Sequence, residues 1–483
     1  MSATAPPIAP PLPLRPGEKG RPLSPVDVAW LRMDEPSNLM HIHGVLVLEG
    51  SPSFASVQEL LGSRLGEIPR FHQRIARDGD RLVWVDDAEF DLGRHVLEES
   101  LAEPGGEREL AERISQHFGR PFDRAHPLWE FRLFRGYRGG DTVVFGRLHH
   151  TIGDGVALMM VLLAMTDLGP SGPATVDPAL SAAGLAANPF LALFRHPVEQ
   201  LGAARAALEQ VMPETLRLML APIEAMRKVN PLLKGAGATA ALGRLVGRWN
   251  DPQTPFKGKL KVEKRVAWTE KIPLDTVKDA GTALGGTLND VLNSAMAGGL
   301  RRYLLHHHGA PAADLAFRAA MPVNLRPLEE MAQLGNRFGL VFLSLPVGIV
   351  DPLTRLHQLR RRANALKRSA EPAVVFAILT AMGMLPEAVH RLVVTIFGAK
   401  ATAVFTNVPG PRQTLWLAGR PLRDMYFWVP QAGRLGLGVS IFSYDGSVRM
   451  GVATDAGLVP DPGRIVDGFH AELEELLTLA ARG

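Results

Sequence analysis

Two rhythms of apolar residues alternate along this chain. Residues 41–48 (HIHGVLVL), 130–135 and 142–148 are short, β-rich runs of the kind that form strands. Residues 52–66 place Leu60, Leu61 and Leu65 on one helical face, and 110–118 continue in the helical period. A further strand or turn falls at 81–85. Strands interleaved with helices predict a mixed α/β (α+β) domain. Residues 156–168 (VALMMVLLAMTDL) are apolar all round and predict a buried helix.

The rhythm changes after residue 187. Residues 200–229 read as helices broken at Pro213 and Pro222, with Arg205, Arg217, Arg227 and Lys228 adding charge. Both a packed linker and a membrane-facing amphipathic surface fit this connector. The mixed pattern resumes near Arg265. It predicts a helix over 289–304, strands over 315–323 and 339–347, and a basic helix over 354–370. A Pro-broken apolar helical hairpin follows at 374–400, then strands and turns, then a closing helix over 461–481. The expected organisation is a disordered Pro-rich N-terminus at 1–20, a first domain at 21–186, a helical connector at 187–262 and a second domain at 263–483.

Composition narrows the class. A hydrophobic fraction of 46% and a charged fraction of 21% over 483 residues are those of a globular protein with large cores. The net charge of +4 is too small for a dedicated nucleic-acid binder, although the pI of about 9.4 suits weak attraction to anionic surfaces. The chain has no cysteine, which excludes disulfides, thiol nucleophiles and thiolate metal sites. The first twenty residues lack the pattern of a secretory signal. The longest strongly apolar run, at 373–385, is too short to cross a bilayer. A cytoplasmic protein is expected, with a peripheral contact at the inner membrane or at lipid inclusions left open.

The candidate chemistry lies where the 142–148 strand ends and the 156–168 helix begins. That segment reads His149-His150-Thr151-Ile152-Gly153-Asp154-Gly155. Neighbouring residues on a strand point to opposite faces, so His149 and His150 do not converge on one point. This argues against a two-histidine metal site and for a division of labour, one ring reaching a channel and the other packing. Asp154 stands where a helix N-cap belongs. It also suits pairing with an arginine to hold the loop, and the two roles are compatible. A neutral imidazole suits removal of a proton from an attacking hydroxyl. No G-x-S-x-G elbow is present and no cysteine exists, so direct transfer between two bound substrates is simpler than an acyl-enzyme route.

The segment matches the HHxxxDG motif of the coenzyme A-dependent acyltransferase superfamily. Six further stretches sharpen the match. They are Leu23-Ser24-Pro25-Val26-Asp27, Pro127-Leu128-Trp129, Asn289-Asp290-Val291, Met321-Pro322-Val323-Asn324-Leu325-Arg326, Gly335-Asn336-Arg337-Phe338-Gly339 and Thr406-Asn407-Val408-Pro409-Gly410-Pro411. Together, and in this order, they resemble the bacterial wax ester synthase/acyl-CoA:diacylglycerol acyltransferase family from about Leu23 to the C-terminus. The resemblance implies two chloramphenicol-acetyltransferase-like domains, each a mixed sheet with flanking helices, around a shared channel. It implies His150 as the base, with His149 beside it and Asp154 structural. Gly155, Asn289 and Asp290 would line or support the site, and Pro127, Leu128 and Trp129 would shape the substrate path. On general grounds Asn289-Asp290 is equally a helix cap and Pro127-Leu128-Trp129 a core anchor. His306-His307-His308 reads as a solvated helix end, where cations are favoured.

The implied reaction moves a long-chain acyl group from acyl-CoA, as co-substrate, to diacylglycerol or a long-chain alcohol. No cofactor, metal or nucleic acid is expected, and a membrane or lipid-droplet surface is a candidate partner. Two alternatives compete: a condensation-domain-like enzyme with a carrier-protein donor, and an inactive lipid-binding protein. The Asn289-Asp290, Pro127–Trp129 and Asn336–Gly339 segments weigh against the first, and intact His150 and Asp154 against the second.

Overall fold

The computed structural model describes residues 8–170, 188–195, 197–213, 247, 249–330, 333–367, 369, 371–431 and 433–482. Two large sheets carry the fold. In the first, strands run in the order Trp416–Leu417, Arg420–Trp428, His41–Leu48, Asp141–His149, Trp129–Tyr137 and Val96–Ser100. The Asp141–His149 strand is buried from Thr142 onward, as a central strand covered on both faces must be. In the second, Ala403–Pro409 lies parallel to both Phe317–Asn324 and Leu437–Tyr444. Phe338–Leu345 pairs on one side and Ser447–Asp455 on the other. This is the mixed α/β architecture read from the alternating rhythm.

Two expectations change. Part of the N-terminus expected to be disordered is ordered. Leu12–Pro13 pairs in parallel with Ala76 and Arg77, and Arg21–Pro22 pairs with Val83 and Trp84, completing a small four-stranded sheet. A buried Arg74 binds Glu18 at 2.7 Å and ties the segment down. Proline survives here because the strands sit at the two edges of that sheet.

The second half also does not keep to itself. Strand Arg420–Trp428, assigned by sequence to the 263–483 domain, leaves it and pairs antiparallel with His41–Leu48 of the first sheet. Its alternating apolar residues find their partners there: Leu422 and Met425 join the core that holds Leu46, Leu48 and Leu133.

Of the connector, helices Pro189–Arg195 and Pro197–Val211 are seen; Arg217, Pro222, Arg227, Lys228 and Gly235-Ala236-Gly237 lie outside the described residues. Among the described residues no helix is long and apolar enough to cross a membrane. The apolar hairpin is present as helices Glu371–Met384 and Glu387–Gly398, broken at Pro386.

Candidate active site

Strand Asp141–His149 delivers the two histidines, and helix Gly155–Met165 begins six residues later. The strand geometry separates the rings as expected. His149 is locked on both sides. Its Nδ1 accepts from the Thr151 backbone N–H at 3.1 Å, so Nε2 carries the proton and donates to Asp34 Oδ2 at 3.0 Å. Asp34 is also held by Arg124 at 2.9 Å and by the Met40 N–H at 2.6 Å. Burial pushes the Asp34 carboxyl up, but His149 and Arg124 outweigh it and hold it below the usual range. His41 faces His149 across the strand pair, so Asp34, His41 and His149 bring donor atoms within 4.8 Å of one another. Arg124 already places a positive charge on that carboxylate, which disfavours a metal ion beside it.

His150 turns the other way. Its Nδ1 lies 2.8 Å from Asn336 Oδ1. The Asn336 amide is itself oriented: Nδ2 donates to Asp27 Oδ1 at 2.8 Å and to the His150 carbonyl at 2.7 Å, and a backbone carbonyl can only accept. Oδ1 must therefore face the ring as an acceptor, so Nδ1 carries the proton and Nε2 keeps its lone pair. Trp30 stacks on the imidazole at 4.1 Å and 6°, which fixes the ring plane. Burial pushes the His150 pKa down to about 4, so the ring is neutral at pH 7. Burial raises the pKa of Asp27, and the bonds from Asn336 and Ser24 oppose it.

Asp154 performs both expected roles. One oxygen caps the following helix by accepting from Ala157 N–H at 3.0 Å. The other accepts from Arg326 at 2.9 Å and from Arg337 N–H at 2.8 Å. All three residues belong to stretches that carry the family resemblance. The backbones meet as well: Gly335 N–H donates to Ile152 C=O at 2.9 Å, and Asp154 N–H to Gly335 C=O at 3.2 Å. Gly335 has φ +107, and a Cβ there would lie 3.1 Å from Asp27, so the close approach needs glycine.

His150, Asp154 and Gly155 border one cavity of about 470 Å³ between the two sheets. Its walls are almost entirely apolar, with Leu158, Met159 and Leu162 from the helix behind Asp154, Leu340 and Phe342 from the second sheet, and Leu379 and Phe397 from the hairpin. Asn324 is a polar exception. Its Oδ1 accepts from Arg326 N–H at 3.0 Å, and its buried Nδ2 has no partner among the described residues.

The remaining sequence candidates lie elsewhere. Pro127, Leu128 and Trp129 do not border the cavity. Trp129 is buried, donates to Phe71 C=O at 2.7 Å and stacks on His95, while the Leu128 carbonyl receives the His149 N–H at 2.9 Å. They anchor the core and set the strand. Asp290 forms a capping box with Thr287 at the start of helix Leu288–His308. Asn289 is exposed and meets the cavity only through Asn407, whose Nδ2 donates to it at 2.5 Å. His307 at that helix's far end is paired with Asp461 at 3.0 Å.

Sequence reasoning missed Asp27, Trp30, Asp34, Asn336 and Arg326 as parts of the site. Asp27, Arg326 and Asn336 stood inside quoted motifs. Their partners are more than 170 residues away, so spacing carried no signal.

Comparison with known proteins identifies the family and the fold. Residues 23–292 match the model of the wax ester synthase/diacylglycerol acyltransferase catalytic domain, and 334–477 match that of the WS/DGAT C-terminal domain. A putative diacylglycerol O-acyltransferase of Mycobacterium tuberculosis is 28% identical, covering 94% of this chain and 90% of its own. The wax ester synthase/diacylglycerol acyltransferase of Marinobacter aquaeolei VT8 has a similar fold, with a TM-score of 0.66 at 22% identity, covering 95% of this chain and all of that one. The starter condensation domain of rhizomide synthetase, solved as a mutant with C8-CoA and Leu-SNAC, shares the fold at a TM-score of 0.57 and 14% identity, covering 96% and 94% of the two chains. The chain belongs to the wax ester synthase/diacylglycerol acyltransferase family and is an acyltransferase.

Proposed function

We propose that this enzyme transfers a long-chain acyl group from acyl-CoA to the free hydroxyl of diacylglycerol, forming triacylglycerol, or to a long-chain alcohol, forming a wax ester. The observation that carries this reading is a neutral imidazole, fixed in one tautomer, on the wall of an apolar cavity. The cavity volume is in the range of small-molecule sites, and its apolar walls suit acyl chains.

His150 Nε2 takes the proton as the hydroxyl oxygen attacks the thioester carbonyl. The new C–O bond forms, the C–S bond breaks, and the imidazolium returns its proton to the departing thiolate. His150 is thus the catalytic residue, and Asp154 and His149 position it. Asn324, which borders the cavity and whose buried Nδ2 has no partner among the described residues, is a better candidate donor to the developing oxyanion than the exposed Asn289, which does not border it. The acceptor is supported by the names of the relatives and by the cavity's apolar walls. A peripheral contact with a membrane or lipid droplet completes this reading.

The test is purified protein with labelled palmitoyl-CoA, offered a diacylglycerol and hexadecanol together. Labelled triacylglycerol or wax ester is the expected product, and its ratio sets the acceptor. Transfer to neither hydroxyl would favour a lipid-binding protein. Transfer only from an acylated carrier protein would favour the condensation-type donor.

A further inference from the structure

Helix Glu387–Gly398 is apolar on two faces. Its inner face is accounted for: Val394 and Phe397 line the cavity and His390 is buried. Its outer face carries Val389, Leu392 and Ile396 at helical spacing, and Met384 stands just before it. Met384 is 68% exposed and Leu392 59%. Apolar side chains exposed together in this way mark a surface that meets a partner or lipid.

The patch extends past the helix. Trp249 is 88% exposed, and the chain beside it is pinned to the helix's far end by Asp251 N–H donating to Ala399 C=O at 2.9 Å. Five of the nine large exposed apolar side chains among the described residues thus lie on this helix, just before it, or in the chain beside its far end. Arg434 is exposed beside it, next to Gly433, which packs on Val394 and Gly398, and exposed Arg391 pairs with Glu387 at 3.2 Å on the helix's polar strip.

We propose that this face docks on an anionic lipid surface, so that the acceptor passes from the lipid into the cavity beside the Glu387–Gly398 helix. Three observations select lipid as the occupant. The helix exposed to the surface is also the wall of the cavity that holds the acyl chain, so an insoluble acceptor has a short apolar path. A tryptophan at the rim is the side chain that settles at a membrane–water interface. Exposed Arg434 stands at the rim and the net charge of the chain is positive, which complements anionic headgroups. The route of the acceptor rests on the acyl-transfer reading above; the docking itself does not.

Cosedimentation with vesicles of phosphatidylcholine and phosphatidylglycerol tests it without using activity. The full chain is expected to bind, more weakly as salt rises. Leu392→Glu with Ile396→Glu should weaken binding about tenfold or more, because two buried anchors are replaced by like charges of the surface. The double variant should keep its activity on dispersed dioctanoylglycerol, which shows that it folds, and lose activity on diacylglycerol held in vesicles. Wild type should show a blue shift of tryptophan fluorescence on adding vesicles that Trp249→Phe lacks. His150→Ala should bind vesicles as wild type does, so a failure of the catalytic reading is distinguishable from a failure of docking. Absence of wild-type binding, or equal binding by the double variant, would overturn the proposal. So would a change of oligomeric state in the double variant with vesicle binding unchanged, since the face would then join two copies of this chain.

Discussion

Two turns in this molecule lead into helices, and each carries an aspartate that caps its helix. At Gly153-Asp154-Gly155 the carboxylate caps one helix and also reaches Arg326 and Arg337, more than 170 residues away. At Thr287–Asp290 the carboxylate returns to Thr287, three residues back, in a capping box. Sequence motifs named both turns as site elements, the first with the catalytic histidines and the second as lining or support. The difference is in reach: the first turn is clamped by the other half of the chain, and the second supplies its own partners. A carboxylate that binds a buried arginine across the two halves ties the chemistry to the packing of those halves. A capping box stabilises a helix wherever it stands.

Substitutions should separate the two turns by size of effect. His150→Ala, at the first turn, should lower the rate of acyl transfer by about 10²- to 10⁴-fold with little change in folding. Steady-state kinetics on one acyl-CoA and one acceptor would measure it, and a rate near wild type would dismiss His150 as the base.

Asp154→Ala comes next. It leaves the Arg326 guanidinium buried without its carboxylate, a loss of about 3–5 kcal/mol in comparable buried pairs. Denaturant unfolding should show the loss, and a variant as stable as wild type would mean the clamp contributes nothing.

Asn336→Ala removes the acceptor that selects the His150 tautomer. Its hydrogen bond is worth about 1–1.5 kcal/mol, so kcat should fall roughly tenfold while KM stays nearly constant. The pH profile supplies a further check. The His150 pKa is lowered to about 4, so the neutral base is present above that value and is lost as pH falls through it. Wild-type activity should therefore hold from pH 7 to about 5 and fall near 4. An acid limb centred at the ordinary histidine value, about 6.5, would contradict the burial-driven shift.

The smallest effects belong to the second turn. Asp290→Ala should cost about 1 kcal/mol of stability as a lost cap, and Asn289→Ala should leave kcat within about twofold. A hundredfold loss at Asn289 would restore it to the catalytic machinery and erase the contrast between the turns.

Much of the fold was legible. Alternating and helical periods marked most of the long strands and helices, because each period reports which side of an element meets a core. They marked the apolar hairpin too, including its break at Pro386. The N-cap role of Asp154 and the divergence of His149 and His150 were readable for the same reason: both follow from backbone geometry within a few residues. Where Arg420–Trp428 would pair was not legible, since an alternating strand fits the edge of either sheet equally well.

Local chemistry was therefore determined by the sequence itself: a histidine at a strand end, an aspartate at a helix start, apolar runs of the right period. Only the tertiary structure decided which nitrogen of His150 is free, because that depends on Asn336 and, behind it, Asp27, brought in from two distant segments. It also decided which arginine holds Asp154 and which apolar face is exposed among the described residues. A hydrogen bond across more than 170 residues leaves no trace in spacing, and a helix exposed on its outer face has the same sequence as one buried on both.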